Sequence, residues 1–189
     1  MREQAVEILN KYLDSEHLLK HSYAVEAVMR ELGKKLEPEK EEEWAIAGLL
    51  HDLDSDMLDY KNNPDESKLH GIKAVELLQK EKFGNEYIYQ AIKAHNYDNE
   101  VERISTMDKA IYAADPITGF ITAIALIYPD KKISSVKVKS ITKRMKELKF
   151  AAGASREAMR SIEEIGIPFN EFAKISLEAM QGISDKLGL

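Results

Sequence analysis

The chain has no cysteine. Disulfides, thiolate zinc sites and a cysteine nucleophile are excluded, so any bound metal must be held by nitrogen and oxygen. No run of residues alternates with the two-residue period of a strand, and no segment repeats internally. Met1-Arg2-Glu3-Gln4-Ala5 is polar and helix-forming, without the apolar core of a signal peptide. No stretch reads as the roughly 20 consecutive apolar residues that span a bilayer. The expected setting is cytoplasmic, with no membrane partner. Positive net charge is lacking too: the formal charge is −6. That argues against a sequence-independent nucleic-acid coat, but not against a small phosphorylated substrate, because a bound cation can supply local positive charge.

What is present fits one folded unit. The 189 residues are 44 % hydrophobic and 32 % charged, enough apolar surface for a core and no sign of disorder. The pattern predicts an all-α chain with a core over about 15–128 and further helices over about 135–189 packed on it. Helices are expected over about 15–35, closed by Gly33 and Pro38, and over 39–53, which is apolar on most sides around Trp44-Ala45-Ile46-Ala47-Gly48-Leu49-Leu50. Asn62-Asn63-Pro64-Asp65 reads as a breaker. Shorter helices follow over 67–82 and 85–95. Another starts near Ser105 or Thr106 and runs towards Tyr128, interrupted or bent at Pro116. A basic helix over 135–150 offers Val138, Ile141, Met145 and Leu148 as its buried stripe, and helices over 155–165 and 168–187 complete the chain.

Ligand-capable groups recur on the apolar faces. His21 shares a face with Val25, Val28 and Leu32; His70 with Ala74 and Leu77; His95 with Ile88, Ala91 and Ile92; Asp115 with Ile111 and Tyr112. His51 and Asp52 end the most apolar helix. Each has a plain alternative: a lone histidine is usually a hydrogen-bonded core residue, Asp115 before Pro116 could cap a helix, and Asp52 could cap or pair with a lysine. Burying all of them without a cation would leave several polar groups poorly compensated, at about 1–3 kcal/mol or more each. One or two shared divalent ions resolve this. Imidazole with carboxylate suits iron, manganese, zinc, nickel or cobalt, with magnesium also open. His21, His51, Asp52 and Asp115 form a first expected site. Asp52 is a candidate bridge, and His70 and His95 complete a second site or orient phosphate.

The order His21, His51-Asp52, Asp115, in the strings Lys20-His21-Ser22, Ala47-Gly48-Leu49-Leu50-His51-Asp52-Leu53 and Ala113-Ala114-Asp115-Pro116, resembles the HD superfamily of metal-dependent phosphohydrolases. His70-Gly71 and Ala94-His95 resemble the additional histidines of HD subgroups that hold two metals, and the bacterial enzymes that split diadenosine tetraphosphate symmetrically show a similar order. The strings His51-Asp52-Leu53-Asp54, Ala113 to Gly119 and Phe150 to Glu157 look closest to a prokaryotic branch of HD hydrolases without a settled reaction. The resemblance implies an HD-type helical bundle with a metal site; the leading reading is hydrolysis of a phosphomonoester or phosphoanhydride in a nucleotide or related metabolite through metal-activated water, with Asp52, His70 and His95 in catalytic roles. Di-iron oxygenases share the scaffold, and a non-catalytic, metal-stabilised binding module is a third reading. Many HD phosphohydrolases carry a phosphate-binding lysine three residues after the HD aspartate; here that position is Ser55. Lys109, Lys149 and Arg156 are the candidate replacements, although an arginine at a helix start is more often a solvated surface residue. Lys139, Lys143 and Lys146 read as a solvated face, His17 as exposed, and Asp54, Asp56 and Asp98 as loop carboxylates, solvated or acting as acid or base. The oligomeric state is open, with a homodimer as one candidate.

Overall fold

The computed structural model describes residues 1–59 and 62–189, and every regular element among them is helical. The organising unit is an antiparallel pair, α2 (Glu16–Leu36) and α3 (Glu41–Leu50), joined by a 3-10 turn at Pro38–Lys40; α1 (Arg2–Tyr12) precedes it. From Trp44 to Leu50 every residue of α3 is buried, so this helix has no solvent face and must be wrapped by others. It is covered by α1, α2, α5 (Glu86–Ala94) and α6 (Thr106–Ile127).

Two glycines set how closely α2 and α3 approach. A Cβ at Gly33 would lie 2.9 Å from Cβ of Trp44, and one at Gly48 would lie 2.8 Å from the Val25 carbonyl oxygen. Gly33 is therefore a packing glycine rather than a helix stop, and α2 continues to Leu36. The antiparallel register brings the first half of α2, with His21, beside the last turn of α3, which leads into His51.

Local capping agrees with the sequence at α6, where Ser105 and Asp108 form a reciprocal capping box, and at α5, where the Asn85 side chain accepts from the Ile88 N–H at 3.0 Å. Pro116 lies inside α6, which continues through it, so Asp115 is a mid-helix residue and not a cap. By length and composition α6 does reach the threshold for crossing a membrane, with mean hydropathy 1.7, which corrects the expectation that no such stretch exists. In this fold 56 % of that window is buried, and Met107, Ala110, Ile111, Ala114, Ile117 and Ile121 serve the core.

Other differences have identifiable causes. The helix expected over 67–82 is split: a 3-10 segment at Pro64–Leu69 is followed by His70 and Gly71, and only then by α4 (Ile72–Lys80). Gly71 has φ +81°, and a Cβ there would lie 2.7 Å from the Ile92 carbonyl oxygen, so the chain must turn where only glycine fits. His70 consequently projects from a turn, not from a helix face shared with Ala74 and Leu77. The basic helix is also shorter, α7 being Val138–Arg144. Ile141 and Met145 are buried as expected, whereas Leu148 lies beyond the helix and is 73 % exposed. The chain then runs through α8 (Arg156–Arg160), α9 (Phe169–Gln181) and α10 (Ser184–Leu187), with α8 packing on α6 and α9 on α2 and α7. One buried apolar cluster spans Ala5 to Leu187, so α1, which supplies Ala5, Ile8 and Leu9, belongs to the core as fully as the later helices.

Replacing Gly48 by Ala puts a methyl group against α2 backbone that cannot swing away. Although alanine favours helix by about 1 kcal/mol, overpacking is expected to dominate, and thermal or denaturant unfolding of Gly48→Ala should show a net loss of about 1–3 kcal/mol.

Candidate metal centre

His51 and His95 follow the last residues of α3 and α5, where helix carbonyls lack intrahelical donors. Each ring turns back on its own helix: His51 Nδ1–H donates to the Gly48 carbonyl at 2.9 Å, and His95 Nδ1–H donates to the Ile92 carbonyl. His21 reaches the same tautomer by another route. The Thr118 hydroxyl donates to the Asp115 carbonyl at 2.9 Å and so accepts from His21 Nδ1–H at 3.1 Å. His70 Nδ1–H donates to Asp54 at 2.8 Å.

With all four Nδ1 atoms committed, all four Nε2 atoms are left to face inward. His21 and His51 approach Nε2 to Nε2 at 3.2 Å, and His70 and His95 at 3.0 Å. Two neutral rings presenting lone pairs to each other cannot hydrogen-bond, so a positive species must mediate each approach. The carboxylates complete the arrangement. Asp52 lies between the pairs, with Oδ1 3.1 Å from His70 Nε2 and 3.4 Å from His51 Nε2, and Oδ2 3.5 Å from His21 Nε2. Asp115 Oδ1 is 3.0 Å from His21 Nε2 and 3.8 Å from His51 Nε2.

These separations suit ligands around ions whose bonds are about 2.0–2.2 Å. Three overlapping triads, His21/His51/Asp52, His51/His95/Asp115 and Asp52/His70/His95, each keep their ligand atoms within 4.8 Å of one another. The structure thus brings together all six residues expected to ligate metal. His51 and His95 are buried, while the Asp115 side chain is 35 % exposed, so the cluster opens to solvent on the side of α6.

Electrostatics report the same crowding. Burial favours the neutral acid at Asp52, but His51, His70 and His21 outweigh it and hold the carboxyl far below the usual range. Burial likewise opposes ionisation of Asp115, and His21 and His51 overcome it. Burial lowers the affinity of His70 for a proton, yet its bonds to Asp52 and Asp54 prevail and the ring is pushed up to about 10. His95 moves the other way, pushed down to about 4 by burial and then by the charges of His70 and His51. A proton on His70 thus offsets part of the negative charge that Asp52 and Asp54 bring to the cluster.

Asp54 has a role that its loop position conceals. It is fully buried, and Oδ2 accepts from Gly71 N–H at 2.8 Å and Ala74 N–H at 3.0 Å while Oδ1 orients His70. Asp56 instead caps the backbone at Asp14 and Ser15, and His17 is exposed as expected. Thr118 had no motif to mark it beyond standing three residues after Asp115.

The phosphate-clamp candidates are placed elsewhere. Arg156 spends both terminal nitrogens on the main-chain carbonyls of Ala151, Ala154, Glu147 and Phe150 and stacks over Phe120, so its guanidinium is structural and not available to a phosphate. Lys109 faces a groove of ≈ 950 Å³ lined by Tyr97, Arg103, Tyr112 and Arg160, none of them a member of the cluster. Lys149 is exposed in the turn after α7.

Three outcomes follow from this geometry. Divalent ions added to metal-stripped protein at pH 7 should displace the His70 proton, so calorimetric titration in buffers of different ionisation enthalpy should show proton release and weaker binding as pH falls. In the metal-free protein the raised His70 value contributes stability that is complete below about pH 6.5 and is lost as pH climbs through about 10. Asp54→Asn exchanges one acceptor oxygen for an N–H₂ group facing buried donors. It should cost about 1–3 kcal/mol of stability and weaken metal binding about 10–100-fold, measured by unfolding and by metal titration.

Neither the curated proteins nor the solved structures compared with this chain match it. The family model described as HD domain matches residues 18–119, a span that contains His21, His51, Asp52, His70, His95 and Asp115. That span is more than half of the sequence, and the chain belongs to the HD domain family, whose members are typically metal-dependent hydrolases.

Proposed function

We propose that this protein is a phosphohydrolase acting on a small phosphorylated metabolite, of the nucleotide class, by cleaving a phosphomonoester or phosphoanhydride bond in a cytoplasmic setting. The observation that carries this reading is the inward convergence of four imidazole Nε2 atoms around the Asp52 carboxylate. His21, His51, Asp52 and Asp115 would hold one divalent ion, and Asp52, His70 and His95 a second, with Asp52 shared. Such ions lower the pKa of a coordinated water and polarise a phosphoryl oxygen.

The chain's own groups prepare this chemistry. Anchored Nδ1 protons keep each Nε2 lone pair directed inward, so little reorganisation is needed when a cation and substrate arrive. The exposed edge at Asp115 gives an anionic substrate a way in, and the buried side at His51 and His95 keeps bulk water away from the ligands. Cations also offset the negative charge that would otherwise repel a phosphate from a protein of net charge −6.

The mixed nitrogen and oxygen donor set suits iron as well as manganese or zinc, which keeps the oxygenase reading distinguishable by experiment. Metal-stripped protein should be reloaded separately with manganese, iron, cobalt, nickel, zinc and magnesium and screened against phosphorylated metabolites for phosphate release. Turnover that chelator removes is expected, and Asp52→Asn should reduce it by more than about 100-fold, the upper end of what losing a ligand's supporting bond causes. Oxygen uptake by an iron-loaded form without phosphate release would replace the hydrolase assignment. Metal-dependent stability with no turnover would indicate a binding module.

A further inference from the structure

The peptide group between His70 and Gly71 is gripped at both poles by side chains from elsewhere in the fold. Its N–H, on Gly71, donates to Asp54 Oδ2 at 2.8 Å. Its carbonyl, on His70, accepts from two asparagines: Asn96 Nδ2 at 3.2 Å and Asn99 Nδ2 at 3.1 Å. Both asparagines also tie down neighbouring backbone, Asn96 through the Ser67 carbonyl at 2.7 Å and Asn99 through the Lys93 carbonyl at 2.8 Å. Their Oδ1 atoms are used locally, accepting from Asp98 N–H at 3.0 Å and Val101 N–H at 3.1 Å, which folds the 96–101 segment into successive side-chain-capped turns. Each asparagine thus shapes its own loop with one atom and holds the His70 turn with the other.

This matters because His70 is the one histidine of the four whose backbone lies outside, and not directly at the end of, an α-helix. It follows a 3-10 segment and precedes a left-handed glycine, so no regular element fixes its direction. Asp54 fixes it from one side, and the two asparagines that hold its carbonyl come just after His95, within the string His95-Asn96-Tyr97-Asp98-Asn99. One short stretch after α5 therefore supplies His95 itself and the anchors that aim His70 at it.

We propose that Asn96 and Asn99 are positioning residues that set the affinity of the metal subsite formed by Asp52, His70 and His95, separately from the subsite at His21, His51 and Asp115. The proposal rests on the two-ion reading above. Their contact with the metal is indirect, through the His70 main chain, so they tune occupancy of one subsite and leave the other intact.

The test uses Mn²⁺ and Co²⁺ titrated into metal-free protein by calorimetry, with bound metal counted after dialysis. Asn96→Ser, Asn99→Ser and the double variant retain a short oxygen acceptor for the local turns but lose the donor that reaches His70. His70→Ala identifies which ion belongs to this subsite. The wild-type protein should bind two ions. The serine variants should weaken the same ion that His70→Ala removes, about 10–100-fold, with the other ion's affinity nearly unchanged and the metal-free melting temperature only modestly lowered by the lost donors to the Ser67, Lys93 and His70 carbonyls. Equal weakening of both ions together with a large fall in melting temperature would overturn the proposal in favour of a general packing role, as would unaltered binding of both. A wild-type protein that takes up fewer than two ions would overturn the two-ion reading itself, and the positioning role with it.

Discussion

Four imidazole lone pairs and two carboxylates repel one another when overlapping triads of them are held within 4.8 Å in a place poor in water. The fold has to oppose that repulsion before any ligand arrives. It does so by fastening the far side of every ring, to Gly48, Ile92, Thr118 and Asp54, so that none can rotate away from its neighbours. The remaining imbalance is electrical, and only added positive charge relieves it. Protons can do this in part, which is why His70 holds one so firmly while His95, deeper and beside it, does not.

The scaffold reaches this state with ordinary means. Two histidines sit where helices end and satisfy carbonyls that those ends leave open, so a solution to a capping problem also selects the tautomer. The glycines between α2 and α3 let the helices close up, which sets His21 opposite His51. The uninterrupted passage of α6 through Pro116 places Asp115 and Thr118 one turn apart, where the threonine can serve the histidine across the gap. Every one of these devices is a backbone or packing requirement before it is a chemical one.

Much of this was legible in the order of residues. His21, His51-Asp52 and Asp115 stand beside apolar neighbours on their helices, so their inward side could be read directly, although of these only His51 and Asp52 are buried, and the all-helical architecture followed from periodicity. Periodicity puts His70 on a helix face, whereas it projects from a turn, because a helix face and a turn before a glycine look alike until the obstructing Ile92 carbonyl is seen. Asp54 looked like a solvated loop carboxylate because its burial depends on a turn folding over it from sixteen residues away. Leu148 fitted a stripe that the helix does not live long enough to use. Arg156 offered a charge suited to phosphate, and nothing local shows that its donors are already committed to the backbone.

Arg156 has a consequence of its own. A turn held by its carbonyl oxygens is fastened through atoms that every amino acid shares, so the identities at 148, 149, 152 and 153 scarcely enter into its shape. The guanidinium, seated on Phe120, acts as the template and the loop as the cast. Such a loop can change at those positions while its path over the surface stays the same, because that path is kept by Arg156 together with the Phe150 ring packed on Phe120.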